Sequence, residues 1–119
     1  MANPNIAAAT SILGESVTKT PTSTPAYQTI FQVPADTVYK INSISVCNNS
    51  AASAVVTLSV QPFMEVLVDV ANTISVPENT TLILISKDTS FYLPALSYMY
   101  CNANPSSTVD FLISYEAIS

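Results

Sequence analysis

A two-residue rhythm runs through this chain and confines it to strands. From Thr108 to Glu116, Val109, Phe111, Ile113 and Tyr115 alternate with Asp110, Leu112, Ser114 and Glu116; from Ala54 to Gln61, Val56, Leu58 and Val60 alternate with Val55, Thr57 and Ser59. Successive side chains of an extended strand point to opposite faces, so this period marks strands with one buried face. Tyr27 to Val33 repeats the pattern, and Phe63 to Val70 does so with Met64, Val66, Val68 and Val70 in phase. In Thr37 to Cys47 the apolar phase switches between Tyr39-Ile41 and Ile44-Val46, which predicts a bulge or bend at Asn42-Ser43. Ile74 to Val76, Phe91 to Leu93 and Leu96 to Asn102 read as further short strands. The unbroken run Leu82-Ile83-Leu84-Ile85 predicts a central strand buried on both faces. No segment carries a convincing helical period.

The punctuation between these runs is unusual, because the chain has one glycine, Gly14, among 119 residues. Turns must therefore rely on Pro34-Ala35-Asp36, Asn48-Asn49-Ser50, Asn72, Pro77-Glu78-Asn79, Lys87-Asp88, Pro94 and the stretch from Asn102 to Ser107. Eight or so short strands at this spacing predict an all-β antiparallel sandwich or jelly-roll-like domain, with a closed barrel as the alternative. At 12.7 kDa, area scaling gives a folded surface of roughly 6,000 Å², enough burial for one core without metal or disulfide. Residues 1–25 read differently. Pro4, Gly14, Pro21, Pro25 and the Thr-rich stretch from Thr18 to Thr24 argue against a continuous element. They predict an extended N-terminal arm, with the β-sandwich domain in residues 26–119. Ile6, Ile12, Leu13 and Val17 make that arm too apolar for a solvated linker, so it lies against its own domain or against a neighbouring subunit. Deleting residues 1–20 is then expected to leave a folded domain that no longer attaches.

Charge limits function. Three lysines (Lys19, Lys40, Lys87), no arginine and a net charge of −5 cannot neutralise a phosphate backbone, which excludes nucleic acid as a partner. Anionic membranes are excluded on the same ground, and no apolar run reaches the length of a spanning helix. Met1 to Asn5 carries no positive charge and Ile6 to Leu13 is short and interrupted, so no secretion signal is read; a protein made and kept in a cytosol, or released by lysis, is expected. In that setting Cys47 and Cys101 are expected as free thiols rather than a pair. Without histidine there is no Ser-His-Asp or Cys-His arrangement, and Gly14 alone cannot form a phosphate loop. Glu65 and Asp69, four apart, read as a solvent stripe, and no cysteine or acidic spacing fits a metal. The expectation is no catalytic residue, no cofactor and no metal. The sequons at Asn48 and Asn79 read as turn chemistry. Tyr98 and Tyr100 share one strand face; they fill the core or, exposed, could stack a sugar or anchor a protein.

Three segments resemble a known family. Asn5-Ile6-Ala7-Ala8-Ala9-Thr10-Ser11-Ile12 opens the chain, and Val33-Pro34-Ala35-Asp36-Thr37-Val38-Tyr39-Lys40-Ile41-Asn42-Ser43-Ile44 follows. Pro77 to Leu93 and the closing Ser114-Tyr115-Glu116-Ala117-Ile118-Ser119 complete the set. Together they resemble small virion structural proteins of tailed phages, particularly contractile-tailed phages of marine cyanobacteria. The chain departs from that pattern after Leu93, where Pro94-Ala95-Leu96 stands in place of an acidic, Gly-containing turn. The resemblance implies a capsid decoration or cementing protein on the outer head surface. Its implied partners are the major capsid protein or other virion proteins, with a homo-oligomer, a trimer favoured, assembled in the host bacterial cytoplasm. A neck, tail or fibre-attachment component is the alternative within that class. A carbohydrate- or receptor-binding module using Tyr98 and Tyr100 is the alternative outside it.

Overall fold

A computed structural model describes residues 11–22, 27–105 and 108–119. Its strands are β1 (Ile12–Lys19), β2 (Gln28–Gln32), β3 (Val38–Asn48), β4 (Ala54–Gln61), β5 (Val68–Val76), β6 (Thr81–Ile85), β7 (Phe91–Leu93), β8 (Tyr98–Asn104) and β9 (Val109–Ile118). They form two antiparallel sheets. One runs β1-β9-β3-β6, and β7 also pairs with β3; the other runs β2-β8-β4-β5. β6 pairs with Ile44–Cys47 of β3 and β7 with Tyr39–Ile41, so the two act as one edge strand interrupted by a 3-10 turn at Lys87–Thr89. With β6 and β7 counted together, β1 pairs β9, β2 pairs β8, β3 pairs β6/β7 and β4 pairs β5. This nested pairing is a long hairpin doubled over itself, which is the jelly roll. The sheets keep free edges, so the closed barrel is set aside.

The rhythm of the sequence becomes the core. Val109, Phe111 and Ile113 of β9 face inward beside Ile44 and Val46 of β3. Val56, Leu58 and Val60 of β4 pair with Ala103, Cys101 and Met99 of β8 from the opposite layer. Each large apolar side chain so buried contributes about 1.5–3 kcal/mol. The register of β3 against β9 shifts between Ile41 and Ser43, placing the irregularity where the phase switch predicted it. The accessible surface is 6190 Å², close to the value expected from mass. At one end of the sandwich, Tyr39 and Tyr115 stack with ring centroids 4.3 Å apart, and Phe31 packs edge-on to Tyr39 at 5.2 Å.

Several local expectations are corrected. Residues 12–19, read as part of an extended arm, form edge strand β1, paired with β9 at eight successive positions without a register shift. The Leu82–Ile85 run lies in an edge strand rather than a central one, and Ile83 is 66% exposed. Phe63 to Leu67 is a loop: Glu65 N–H bonds the Pro62 carbonyl and Met64 takes φ 60. β5 begins only at Val68 and continues through Asn72, which is not a turn between strands. Its register against β4 shifts twice instead.

The scarcity of glycine has a cost. Among the described residues five non-glycine residues adopt positive φ: Asp36, Met64, Thr73, Asn79 and Leu96. Asp and Asn tolerate this region, but β-branched Thr73 at φ 53 is strained. Leu96, at φ 65, occupies the turn where the resemblance led to an expected glycine. Thr73→Asn should stabilise the protein by about 1 kcal/mol, read as a higher urea midpoint with an unchanged slope. A lower midpoint would show that Thr73 is not strained.

Candidate interaction surfaces

Among the described residues no group of three or more His, Cys, Asp or Glu could hold a metal, and no pocket opens. Glu65 and Asp69 do not act together: Glu65 sits in the β4–β5 loop, while Asp69 accepts a hydrogen bond from Ser59 Oγ at 2.6 Å. Among the described residues no helix is long and apolar enough to cross a membrane. Asn48, the acceptor asparagine of one sequon, is fully buried; its Nδ2 donates to the carbonyls of Ala52 and Val76.

Three surfaces stand out. On the outer face of the β2-β8-β4-β5 sheet, Tyr98 and Tyr100 lie opposite the buried Met99 and Cys101, so neither ring fills the core. Both are half-buried and stack with centroids 5.6 Å apart and planes at 18°, and Tyr100 Oη donates to Gln61 Oε1 at 3.3 Å. Each ring thus shields part of its neighbour.

The second surface is the β1 edge. Ile12 and Leu13 are exposed, at 58% and 55%, whereas Val17 packs against the core. Ile6 lies outside the described residues. Glu15 accepts a hydrogen bond from Tyr115 Oη at 2.9 Å. Burial first, then this bond and the neighbouring Tyr39, raise the Tyr115 pKa above its ordinary value.

The third surface, missed in the sequence, is the β4–β5 loop. Phe63, Met64, Val66, Leu67 and Val68 are all exposed, Met64 at 88% and Val66 at 74%. Alternation there imitated a strand. The contrary signal was Pro62, which closes β4 and accepts the turn bond from Glu65.

Both cysteines are free, Cys47 half-buried and Cys101 fully buried. Burial pushes the Cys101 thiol up to about 12, partly opposed by the Lys19 ammonium. Its folded pKa lies above the unfolded value, so the neutral thiol favours folding fully below about pH 9 and this contribution is lost as pH rises toward 12. Unfolding free energy should fall over that window, by at most about 1.4 kcal/mol per pH unit from this group. Cys101→Ala should flatten the fall, and an unchanged slope would contradict the assignment. Urea titrations from pH 8 to 11 measure it.

The molecule is thereby defined by its fold as a two-sheet jelly roll. No family model matches the chain, and no curated protein matches it. Solved structures do match. A chain in the crystal structure of the T13 viral particle of infectious bursal disease virus superposes with TM-score 0.51 and 10% identity over 90% of this chain. A chain in the structure of the Gx strain of that virus gives TM-score 0.53 and 11% identity over 92%. The likeness is one of fold, and the present chain spans 30% and 32% of those chains.

Proposed function

We propose that this chain is a non-enzymatic structural protein of a virus particle, most specifically a decoration or cementing protein bound to the outer head surface of a tailed phage. The observation that carries the reading is the nested two-sheet fold, which superposes on chains of viral particles with TM-scores of 0.51 and 0.53 over 90% and 92% of its length. The residue-level resemblance to phage virion proteins supports it from an independent direction. Sparse charge suits a protein packed in many copies, because neighbours repel one another little. The exposed apolar β4–β5 loop suits a protein contact. Its partners are the major capsid protein or other virion proteins, together with copies of itself, and its place is the virion, assembled in the host cytoplasm.

The test adds purified chain to phage heads made without it. Saturable binding and greater resistance of the heads to heat support the reading, and binding restricted to neck or tail replaces it with the alternative in that class. Tyr98 and Tyr100 support a second reading, a carbohydrate- or receptor-binding module, because they lie outside the core. Glycan-array binding that Tyr98→Ala and Tyr100→Ala abolish, without head binding, would favour that module.

A further inference from the structure

The four sheet edges are not alike. β2 has five residues and a register shift between Thr29 and Phe31. β5 carries two shifts, and the β6/β7 edge is broken by the 3-10 turn. Short, bulged or interrupted edges resist pairing with another chain. β1 alone is long, unbroken and in continuous register, with no described strand on its outer side.

The hydrogen-bond pattern fixes which groups face outward. Ser11 and Ser119 exchange both backbone bonds, at 3.0 and 2.9 Å. Antiparallel pairs alternate, so Leu13, Glu15, Val17 and Lys19 also bond inward to β9, while Ile12, Gly14, Ser16 and Thr18 present N–H and C=O to the free edge. A second copy pairing antiparallel about a two-fold axis must match outward residues with outward residues. Of the registers this permits, the one setting Val17 opposite its own counterpart places Ser16 against Thr18 and Glu15 directly against Lys19, twice by symmetry. Moving the two strands apart by one permitted step toward the N-terminal end sets Glu15 against Val17, and the next sets Glu15 against Glu15. Among the described residues neither Glu15 nor Lys19 has an ion-pair partner, and Glu15 spends one oxygen on Tyr115.

We infer that β1 is a self-pairing edge: two copies of this chain join antiparallel through Ser16 and Thr18, with reciprocal Glu15–Lys19 pairs setting the register. The interface is isologous, a two-fold pair in place of the trimer expected from the resemblance. Odd residues of both copies stay on the inner side, so the two β1-containing sheets become one continuous sheet. The inference concerns the chain's own copies and does not rest on the virion reading, so its failure leaves that reading untouched.

Sedimentation equilibrium of the purified full chain at low salt, over a wide concentration range, tests it. The expected species is twice 12.7 kDa. Glu15→Lys and Lys19→Glu should each weaken the dimer roughly tenfold, since each sets like charges opposite one another at two symmetric positions. The double reversal should restore it. Ser16→Pro removes an outward N–H and should abolish the dimer with the circular dichroism of the fold unchanged; Thr18→Pro serves equally if that variant misfolds. A wild-type monomer or trimer, or a dimer indifferent to the proline variants, overturns the inference. A double reversal no tighter than the singles overturns its register.

Discussion

Asn48→Asp is expected to destabilise the protein by about 4 kcal/mol at neutral pH, a large part of a total near 5–15 kcal/mol. Asn48 sits fully buried at the end of β3 and joins three segments. Its Nδ2 donates to Ala52 O at 2.8 Å and Val76 O at 3.0 Å, while its Oδ1 accepts from Ser50 N at 2.9 Å and Ser50 Oγ at 2.8 Å. Aspartate keeps the shape but turns the donating edge into a second acceptor facing two carbonyls. Burial and those carbonyls raise the introduced carboxyl's pKa above its unfolded value, so the variant loses stability as pH rises and the gap to wild type narrows below about pH 4. Ser50→Ala, which removes one hydroxyl that donates to Asn48 Oδ1 and accepts from Ala52 N–H, should cost about 1 kcal/mol. Urea unfolding of the three proteins at two pH values measures the series, and equal midpoints for Asn48→Asp and wild type would remove the hub.

Removal of residues 1–19 is expected to unfold or aggregate the chain. This reverses the expectation that deleting residues 1–20 of the arm leaves a folded domain. β1 covers one edge of β9 along eight paired positions, and Val17 packs onto the core. Backbone bonds at about 1 kcal/mol each and the lost apolar cover remove about 5 kcal/mol or more. The truncation also bares the side of β9, whose Phe111 and Ile113 lie in the core. A soluble truncated chain with a cooperative unfolding transition would contradict the place of β1 in the sheet.

What could be read in the residues follows from how each strand is buried. β3, β4 and β9 have one face in the core, so alternation reported them, and the skipped residue at Asn42 showed as a phase change. β1 buries little of either face: Gly14, Glu15, Ser16 and Thr18 are exposed, so no periodicity could mark it. β6 misled in the opposite sense, because four apolar residues in succession implied two covered faces where Ile83 points to solvent. The loop at Phe63–Leu67 imitates a strand by composition, and its exposed tip is set by the turn after Pro62. The surfaces were less legible than the fold. The alternation of β8 gives Tyr98 and Tyr100 one shared face, but only burial of Met99 and Cys101 against the second sheet makes that face the outer one. The match of Glu15 with Lys19 is a property of two copies and of the parity of an edge, neither of which one chain's pattern expresses.

The virion reading depends on a chain with little reactive chemistry being retained as a building part. Quantitative peptide mass spectrometry of highly purified particles, from a phage that makes this protein, measures that most directly. The account predicts hundreds of copies per particle, in constant ratio to the major capsid protein across preparations. Particles that lack the chain, with the protein left in the soluble lysate, would contradict it.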